Sequence, residues 1–262
     1  MNYDLGGEVA IVTGGTKNIG REISLKLAGS GATVACLFTS DGCSASSTVK
    51  EIEQAGGRAK SYQIDLADVE AIGPTVEQIR DDMGDITILV NNAALRPRQK
   101  IADITSSDWD TVQAVNLRAP FFLSQAVLPG MRQRGWGRIV NISGADGYHG
   151  EPQRPHVIAS KLGLVGLMRG LALETALWGV TVNAVVPGYI DTVRDHPEWY
   201  PDMDDTIPER LARIPAGRAG KAEEVAAAVH FLCSREASYV NAHDLIVTGG
   251  YYPLVRQPWY EY

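Results

Sequence analysis

A glycine-rich turn near the start of the chain carries the clearest chemical signal in the sequence. Residues 13–20 read TGGTKNIG and stand between an apolar run and a segment of helical period. The free N–H groups at the start of a helix, together with the positive end of its dipole, can face a phosphate. Gly14 lets the backbone approach that phosphate, and Gly20 lets the helix pack close to the strand. The turn therefore predicts a phosphate site, although its spacing differs from G-x-G-x-x-G.

The elements that position this turn follow from the hydrophobic periodicity of the chain. Short runs rich in β-branched residues alternate with longer helical segments, which is typical of a buried parallel sheet with helices on both faces. The predicted strands are Val9 to Thr13, Thr33 to Phe38, Ile86 to Val90, Arg138 to Ile142, Thr181 to Val186 and Leu245 to Thr248. The predicted helices are Ile19 to Ala28, Thr48 to Ala55, Val69 to Met83, Trp109 to Arg134, Val157 to Leu177 and Ala222 to Leu232. We predict a single-domain doubly wound α/β fold, Rossmann-like, over residues 1–262.

One long irregular stretch, residues 189–215, follows a predicted strand and is rich in Pro and Asp. Long loops in compact domains are usually functional, and ligands of open parallel sheets bind beyond the carboxyl ends of the strands. We predict that this stretch is a substrate-binding loop or lid, the alternative being a solvated surface excursion.

Composition excludes several classes of function. A formal net charge of -7 disfavours a grip on nucleic-acid backbones, which needs clustered Lys and Arg. The cysteines Cys36, Cys43 and Cys233 lack the spacing of a disulfide framework or a metal site. The N-terminus does not resemble a signal peptide, and no later stretch is expected to span a bilayer. These observations predict a cytoplasmic protein with a small-molecule ligand, and with no metal, membrane or nucleic-acid partner.

Several further motifs accompany the glycine-rich turn. They are QIDLAD around Asp65, NNAA at 91–94, Asn116 in AVNLRAPFF, Lys161 in ASKLGLVGL, and PGYIDT at 187–192. Through them the chain resembles the short-chain dehydrogenase/reductase family over nearly its full length. Asn18 is a departure, because the family usually has a third glycine there; Asn tolerates a left-handed backbone better than other non-glycine residues.

The resemblance implies a dinucleotide site and a place for each of its parts. Asp65 would meet the adenine, Asn92 and Ala93 the ribose side of the adenosine, and Ile190 and Thr192 the nicotinamide carboxamide. The full set of implied cofactor-binding residues is Gly14, Thr16, Lys17, Asn18, Ile19, Gly20, Thr39, Ser40, Asp65, Leu66, Asn92, Ala93, Lys161, Pro187, Gly188, Ile190 and Thr192.

The end of the second strand bears on which dinucleotide binds. A site for an unphosphorylated ribose normally has an acidic acceptor there, but this chain has Phe38 followed by Thr39 and Ser40. With Lys17 in the phosphate turn, these residues offer donors and a cation to a 2′-phosphate. We therefore predict NADP(H) over NAD(H), and Asp41 is the residue that could reverse this preference.

In the family, a tyrosine transfers the proton that accompanies the hydride, a serine holds the substrate oxygen, and a lysine and an asparagine complete the site. Asn116 and Lys161 match the last two. The tyrosine should lie four residues before Lys161, on the same helix face, but that residue is Val157. The serine position falls on Gly144; shifting the alignment by one residue would place Ser143 there but would not restore the tyrosine. Because valine cannot ionise, reduction of a carbonyl needs a substitute proton donor.

The loop between Gly144 and Val157 contains the predicted substitutes. Tyr148 and His149 are the preferred candidates, since they follow a strand end and histidine titrates near physiological pH. For each, an exposed polar residue without a role is the alternative. His156 is expected to point elsewhere, because five residues before Lys161 corresponds to about 140° around a helix.

Arginines near the predicted pocket indicate what kind of substrate could bind. The aromatic C-terminal residues indicate how the chain could assemble. Arg96 and Arg98 follow NNAA, and Arg154 lies in the polar loop, so a carboxylate or other anionic substrate could bind there; surface arginines are the alternative. The aromatic segment 251–262 is expected to pack over a pocket or a neighbouring subunit. The family resemblance implies a homodimer or homotetramer.

Three hypotheses follow. The first is an NADP(H)-dependent oxidoreductase that acts on a small polar or acidic carbonyl, alcohol or enone. The second is a non-redox isomerase, lyase or dehydratase, in which the nucleotide is structural or absent. The third is a binding or regulatory protein that has lost catalysis.

Overall fold

Parallel strands form the centre of the molecule in the computed structural model, which describes residues 3–193, 196–199 and 203–254. The strands are β1 (Val9–Thr13), β2 (Thr33–Phe38), β3 (Arg58–Gln63), β4 (Ile86–Asn91), β5 (Gly137–Ile142), β6 (Val180–Pro187) and β7 (Asp244–Val247). In this part of the chain they form one sheet in the order β3-β2-β1-β4-β5-β6-β7, and every pairing is parallel. The predicted doubly wound α/β class is confirmed.

Helices cover both faces of this sheet. They are α1 (Asn18–Ala28), α2 (Gly42–Gln54), α3 (Ile72–Met83), α4 (Ser106–Gln113), α5 (Ala119–Arg134), α6 (Asp146–His149), α7 (Pro155–Thr175), α8 (Met203–Ala212) and α9 (Ala222–Cys233). Successive residues of a strand point to opposite faces. In β1, Val9 and Ile11 pack with α3, α5 and α7, whereas Ala10 and Val12 pack with α1 and α9. Each strand therefore contributes to two apolar layers, which explains the near-continuous hydrophobic runs.

β3 was not among the predicted strands. Its sequence RAKSYQ alternates polar residues, and among its side chains only Tyr62 is buried. β3 lies at the edge of the sheet, pairs with β2 alone, and needs little apolar surface. The hydrophobic signal used for the other strands is therefore weak here.

The prediction of one continuous helix over Trp109 to Arg134 is wrong. The segment consists of α4, a π-helical turn at Ala114–Arg118, and α5. A π-turn inserts an extra residue into the helical hydrogen-bond ladder and is frequent at functional sites. Asn116 lies in that turn.

The expectation that no stretch could span a bilayer is also corrected. The segment Pro155–Trp178 is long and apolar enough to do so by length and composition alone. Its helix α7 packs against β5, β6 and α5, and it carries the buried residues Val165 and Met168 of the core. We interpret α7 as a core helix.

The stretch 189–215 is not irregular throughout. It contains a short 3-10 turn at Pro197–Trp199 and the helix α8. Ile190 forms an isolated parallel bridge to Gly220, which fixes the start of the stretch beside the chain that leads into α9. Residues 194–195 and 200–202 of the predicted lid lie outside the described residues.

Candidate active site

The phosphate turn is shaped by glycines and by the neighbouring strand end. Gly14 has φ +59°, a conformation that L side chains rarely adopt, and a Cβ at Gly20 would lie 1.9 Å from the carbonyl oxygen of Gly14. The Asn92 side chain donates to the carbonyls of Thr13 (2.9 Å) and Gly14 (3.2 Å). The Thr13 hydroxyl in turn accepts from the backbone N–H groups of Asn92 and Ala93, both at 2.9 Å. The turn is therefore held between the ends of β1 and β4.

Asn18 takes the left-handed conformation expected of it, with φ +49°. Its amide also binds the start of the predicted lid: Nδ2 donates to the carbonyl of Val193 (3.0 Å), and Oδ1 accepts from the Val193 N–H (2.9 Å). A glycine could supply the backbone conformation but not these two bonds. Asn18 therefore connects the phosphate turn to the segment that follows β6.

A crevice of about 500 Å³ runs along the carboxyl ends of the central strands. Sixteen of the seventeen predicted cofactor-binding residues line it, all except Asp65. This location, at the switch in strand order between β1 and β4, is where open α/β sheets bind ligands. The sequence motifs thus converge on one site.

Asp65 stands apart from the other predicted residues. Its neighbours Ile64 and Leu66 line the crevice, whereas the Asp65 carboxylate accepts a hydrogen bond from the N–H of Ala67 (2.9 Å). Its contact with the adenine stays a prediction. Its carboxylate stabilises the turn after β3, and Leu66 contributes the apolar surface instead.

The end of the crevice beside β2 carries the residues that were predicted to select the dinucleotide. Phe38, Thr39 and Ser40 line it, and the Asp41 carboxylate lies 2.8 Å from the Lys17 ammonium. Asp41 also caps α2, accepting from the Ser44 N–H at 2.9 Å. The hydrogen bond from Lys17 and those from Ser44 hold the pKa of Asp41 below its usual value. The carboxylate that could select NAD(H) is thus engaged by a cation and a helix N-terminus.

The opposite end of the crevice holds Lys161, Gly144 and Val157. Lys161 lies on α7 and is 7% exposed; its Nζ donates to the carbonyl of Ile142 at 2.7 Å. Val157 precedes it by one helical turn and is 4% exposed. A Cβ added at Gly144 would have no neighbour within 4 Å. This end of the crevice therefore has space at Gly144, aliphatic carbon at Val157, and one buried amine.

The pKa of that amine is strongly perturbed. Burial, with a smaller effect of the Arg96 guanidinium, lowers the pKa of Lys161 to about 7, and the Asp146 carboxylate opposes the shift. Removing an ammonium from water disfavours its charged form, and a nearby cation adds to the effect. Lys161 can therefore exchange a proton near neutral pH.

Asn116 lies behind the crevice wall. Its side chain accepts from the Leu95 N–H (2.8 Å) and donates to the Leu95 carbonyl (2.9 Å) and to the Ser160 hydroxyl (3.0 Å). Leu95 lines the crevice, but Asn116 does not belong to the lining. Asn116 thus joins the π-helical turn to α7 and the loop after β4, as a positioning residue.

The structure does not place Tyr148 and His149 in the crevice lining, so the geometry does not support them as proton donors, and that role stays a prediction. They lie in α6, where each residue turns the chain by about 100°, so the Asp146 side faces the crevice while Tyr148 faces the core. The Tyr148 ring packs on Tyr252 (5.1 Å between centroids) and the His149 ring on Tyr251 (4.9 Å). Burial, and next the neighbouring Asp244, raise the pKa of Tyr148 further above neutrality. His156 is fully buried and also lies outside the crevice lining.

The predicted arginines gather in a small cavity of about 50 Å³ beside the crevice. Arg98 and Arg210 pair with Glu151 at 2.9 and 3.3 Å, and Arg154 pairs with Asp146 at 3.1 Å. The Arg154 side chain is 3% exposed, so it is not a surface arginine. Two groups of guanidinium and carboxylate side chains, one around Glu151 and one around Asp146, thus lie beside the Lys161 end of the crevice.

Further residues line the wall that were not among the predicted cofactor-binding residues or proton donors. Leu95, Arg96 and Asp146 line the crevice, as do His196 and Trp199 from the 189–215 stretch. The His196 and Trp199 rings stack at 4.1 Å with an interplanar angle of 17°. An aromatic residue after a strand end was the available signal for Trp199; the contact with His196 depends on the local backbone. Two described residues of the stretch therefore line the crevice, and its role as a substrate-binding loop or lid stays a prediction.

Comparison with known proteins agrees with this geometry. The chain belongs to the short-chain dehydrogenase/reductase family, whose members are NAD(P)-dependent oxidoreductases. A family profile described as enoyl-(acyl carrier protein) reductase matches residues 14–252. The confirmed resemblance covers fold, family and the coarse reaction type.

Individual relatives are similar over nearly their full length. The 3-oxoacyl-[acyl-carrier-protein] reductase FabG of Haemophilus influenzae is 37% identical over 252 residues, covering 94% of this chain and 98% of that protein. A solved structure described as an NAD(P)-dependent gluconate 5-dehydrogenase from Beutenbergia cavernae, with bound NADP at low occupancy, is 37% identical with a TM-score of 0.88, covering 96% of this chain and 99% of that one. A structure from Agrobacterium tumefaciens, described as a 2-deoxy-D-gluconate 3-dehydrogenase with bound NADP, is 36% identical with a TM-score of 0.84, covering 95% and 98%.

Proposed function

We propose that this chain is an NADP(H)-dependent oxidoreductase that interconverts a small carbonyl or enone and its reduced form, without a serine or tyrosine at the family's catalytic positions. The observation that carries the proposal is the continuous crevice from Phe38 to Lys161, with the glycine turn at its centre. A bound nicotinamide would supply or accept the hydride. Lys161 would hold the nicotinamide ribose, and the backbone at 187–192 the carboxamide.

The preference for NADP(H) is supported by the chemistry beside β2. Thr39 and Ser40 offer donors, and Lys17 offers a cation. Asp41 is already engaged by Lys17 and by the start of α2, so it is a poorer acceptor for ribose hydroxyls than a carboxylate with no such partners. Two structurally similar proteins contain NADP.

An anionic substrate is supported by the arginines beside the Lys161 end of the crevice. Arg96 and Asp146 border both the crevice and the small arginine-lined cavity, so a substrate at the nicotinamide end would lie beside guanidinium groups. Guanidinium binds carboxylate in a planar, bidentate manner. Two of the compared structures are named for gluconates, which are carboxylates. We therefore place a carboxylate or similar group of the substrate near Arg96.

A non-redox reaction, or loss of catalysis, is favoured by one observation. By the family resemblance, Gly144 and Val157 take the positions of the family's serine and tyrosine hydroxyl groups. Losing a positioned acid commonly costs on the order of 100-fold to 10,000-fold in rate. The alternative predicts dinucleotide affinity without oxidation of NADPH.

A titration followed by a substrate screen separates these functions. We expect NADPH to bind more tightly than NADH, measured by the fluorescence of the reduced nicotinamide. A panel of small carbonyls and enones with and without a carboxylate should then reveal loss of NADPH absorbance, faster with the carboxylate. Binding without oxidation across the panel would favour the alternative, and equal affinity for both dinucleotides would contradict the cofactor preference.

Assembly and location remain predictions. We expect a homodimer or homotetramer in the cytoplasm, with no nucleic-acid, metal or membrane partner. Light scattering of the purified chain measures the assembly.

A further inference from the structure

We propose that Lys161 is itself the proton donor and acceptor of the reaction, in direct contact with the substrate oxygen or through one water, replacing the missing phenol. The proposal rests on the proposed oxidoreductase function. It assigns the amine a catalytic role besides holding a ribose.

The position of the phosphate turn places the reacting atoms near Lys161. The turn at Gly14–Gly20 lies mid-crevice, with Phe38 to Asp41 on one side and the ends of β5 and β6 on the other. If the turn held the pyrophosphate and the residues beside β2 held the adenosine, the residues at the ends of β5 and β6 would be left to hold the nicotinamide. Lys161 lines that end.

Valine at position 157 opens the approach to the amine. Residues i and i+4 lie on the same face of a helix, and Val157 and Lys161 both line the crevice, so a phenol at position 157 would fill part of the space beside the amine. The Val157 side chain is much shorter. Gly144, which also lines the crevice, has no side chain, and nothing lies within 4 Å of a Cβ added there. A substrate oxygen or a water can therefore approach Nζ.

The other titratable groups of the described crevice lining fit the role less well. Lys17 and Asp41 pair with each other at the β2 end. Arginine side chains stay protonated in proteins, so Arg96 cannot donate a proton. The Asp146 carboxylate is paired with the Arg154 guanidinium at 3.1 Å. His196 is half exposed at the mouth, with Nδ1 2.9 Å from Glu198. Lys161 is the buried titratable group at the nicotinamide end.

The electrostatic surroundings suit proton exchange at neutral pH. The pKa of Lys161 is lowered to about 7, chiefly by burial and then by Arg96 from the loop after β4, against Asp146 from α6. A proton donor works best when its pKa lies near the working pH. Its hydrogen bond to the Ile142 carbonyl fixes Nζ while leaving two further N–H groups of the ammonium.

The step balances in protons and electrons. In reduction, hydride adds to the substrate's carbonyl carbon, and the C=O π pair becomes a lone pair on oxygen. An N–H bond of the Lys161 ammonium breaks as the O–H bond of the alcohol forms, leaving a neutral amine that solvent protonates again. In alcohol oxidation the neutral amine accepts the hydroxyl proton.

The pH profile of Lys161→Arg tests the proposal. Guanidinium keeps a cation for the ribose but does not titrate in the usable range. In the wild type, kcat/KM for reduction should fall as pH rises through about 7, because the ammonium is lost, and oxidation should show the opposite trend. The arginine variant should bind NADPH, lose on the order of 100-fold to 10,000-fold in kcat, and lack this inflection.

Two charged neighbours of Lys161 allow a second test, because changing them should shift the pH of the inflection only if Lys161 itself titrates in the reaction. Arg96→Gln removes a cation and should shift the inflection to higher pH, and Asp146→Asn should shift it to lower pH. Independently of activity, competitive labelling with acetic anhydride, followed by mass spectrometry, should show Lys161 gaining reactivity near pH 7. The exposed Lys50 and Lys60 serve as internal references.

The outcomes are distinguishable. If no carbonyl is reduced by the wild type, the proposed function fails and the catalytic role with it. If turnover is found but Lys161→Arg keeps the wild-type profile, or if Lys161 labels in parallel with Lys50, only the role of the amine is overturned. Loss of the inflection in His196→Gln, and not in Lys161→Arg, would assign the proton to His196 instead.

Discussion

Gly20→Ala tests whether the phosphate turn depends on close packing of α1 against β1. The new Cβ would lie 1.9 Å from the Gly14 carbonyl oxygen and 2.6 Å from the Asn92 amide nitrogen. Real Cβ contacts under 3.0 Å essentially do not occur, so the helix and the turn must separate by about 1.1 Å. The atoms that move are those that would face the pyrophosphate.

The size of the effect follows from this displacement. Forcing one extra carbon into a packed site costs about 1–3 kcal/mol of unfolding free energy. A misplacement of about 1 Å can cost on the order of 100-fold in catalytic rate, and we expect a loss of the same order in the affinity for a phosphate that the displaced N–H groups would bind. We therefore expect the Kd for NADPH, measured by nicotinamide fluorescence, to rise by on the order of 100-fold, while urea unfolding shows the smaller loss of stability.

Gly73→Ala is the matched control. Gly73 lies in α3, and a Cβ there meets nothing within 4 Å. Alanine favours a helix over glycine by up to about 1 kcal/mol, so this variant should be slightly more stable and bind NADPH like the wild type. Wild-type affinity in Gly20→Ala would refute the assignment of this turn as the phosphate site.

Further predictions concern the catalytic positions, the contact between the turn and the lid, and the aromatic ring behind α6. Gly144→Ser combined with Val157→Tyr should raise the rate of carbonyl reduction by on the order of 100-fold to 10,000-fold, because it supplies a positioned hydroxyl acid and a serine side chain has room at position 144. Steady-state rates measure the effect, and an unchanged rate would contradict the prediction. Asn18→Gly keeps the left-handed backbone but loses both hydrogen bonds to Val193, each worth about 1 kcal/mol. The backbone amide of Val193 should therefore exchange its hydrogen faster than in the wild type, and an unchanged exchange rate would count against the contact. Tyr148→Phe should leave turnover unchanged, since the phenol packs on the core and on Tyr252; a large loss in kcat would return Tyr148 to the reaction.

Central strands and most of the cofactor crevice could be predicted from the sequence because they depend on local patterns. A buried parallel strand needs a continuous apolar run, as in β1, and its C-terminal turn needs glycines that no other residue replaces. β3 escaped this reasoning because an edge strand can remain polar. The break at Asn116 escaped it because a π-turn preserves the apolar pattern on either side.

The direction of side chains in short loops could not be predicted. Tyr148 and Asp146 both follow β5 within a few residues, yet one faces the core and the other the crevice, because α6 forms a helical turn there. Asp65 likewise turns its carboxylate to a backbone N–H two residues on. These choices depend on tertiary contacts, such as the Tyr252 ring, which come from distant parts of the chain.

The most direct test of redox function uses NADPH carrying deuterium at nicotinamide C4, with mass spectrometry of the product. For the wild-type chain and a carbonyl substrate found in the screen, we predict that one of the two C4-deuterated epimers transfers its label to the former carbonyl carbon. A product formed without deuterium from either epimer would show that the dinucleotide is not the hydride donor and would contradict the account.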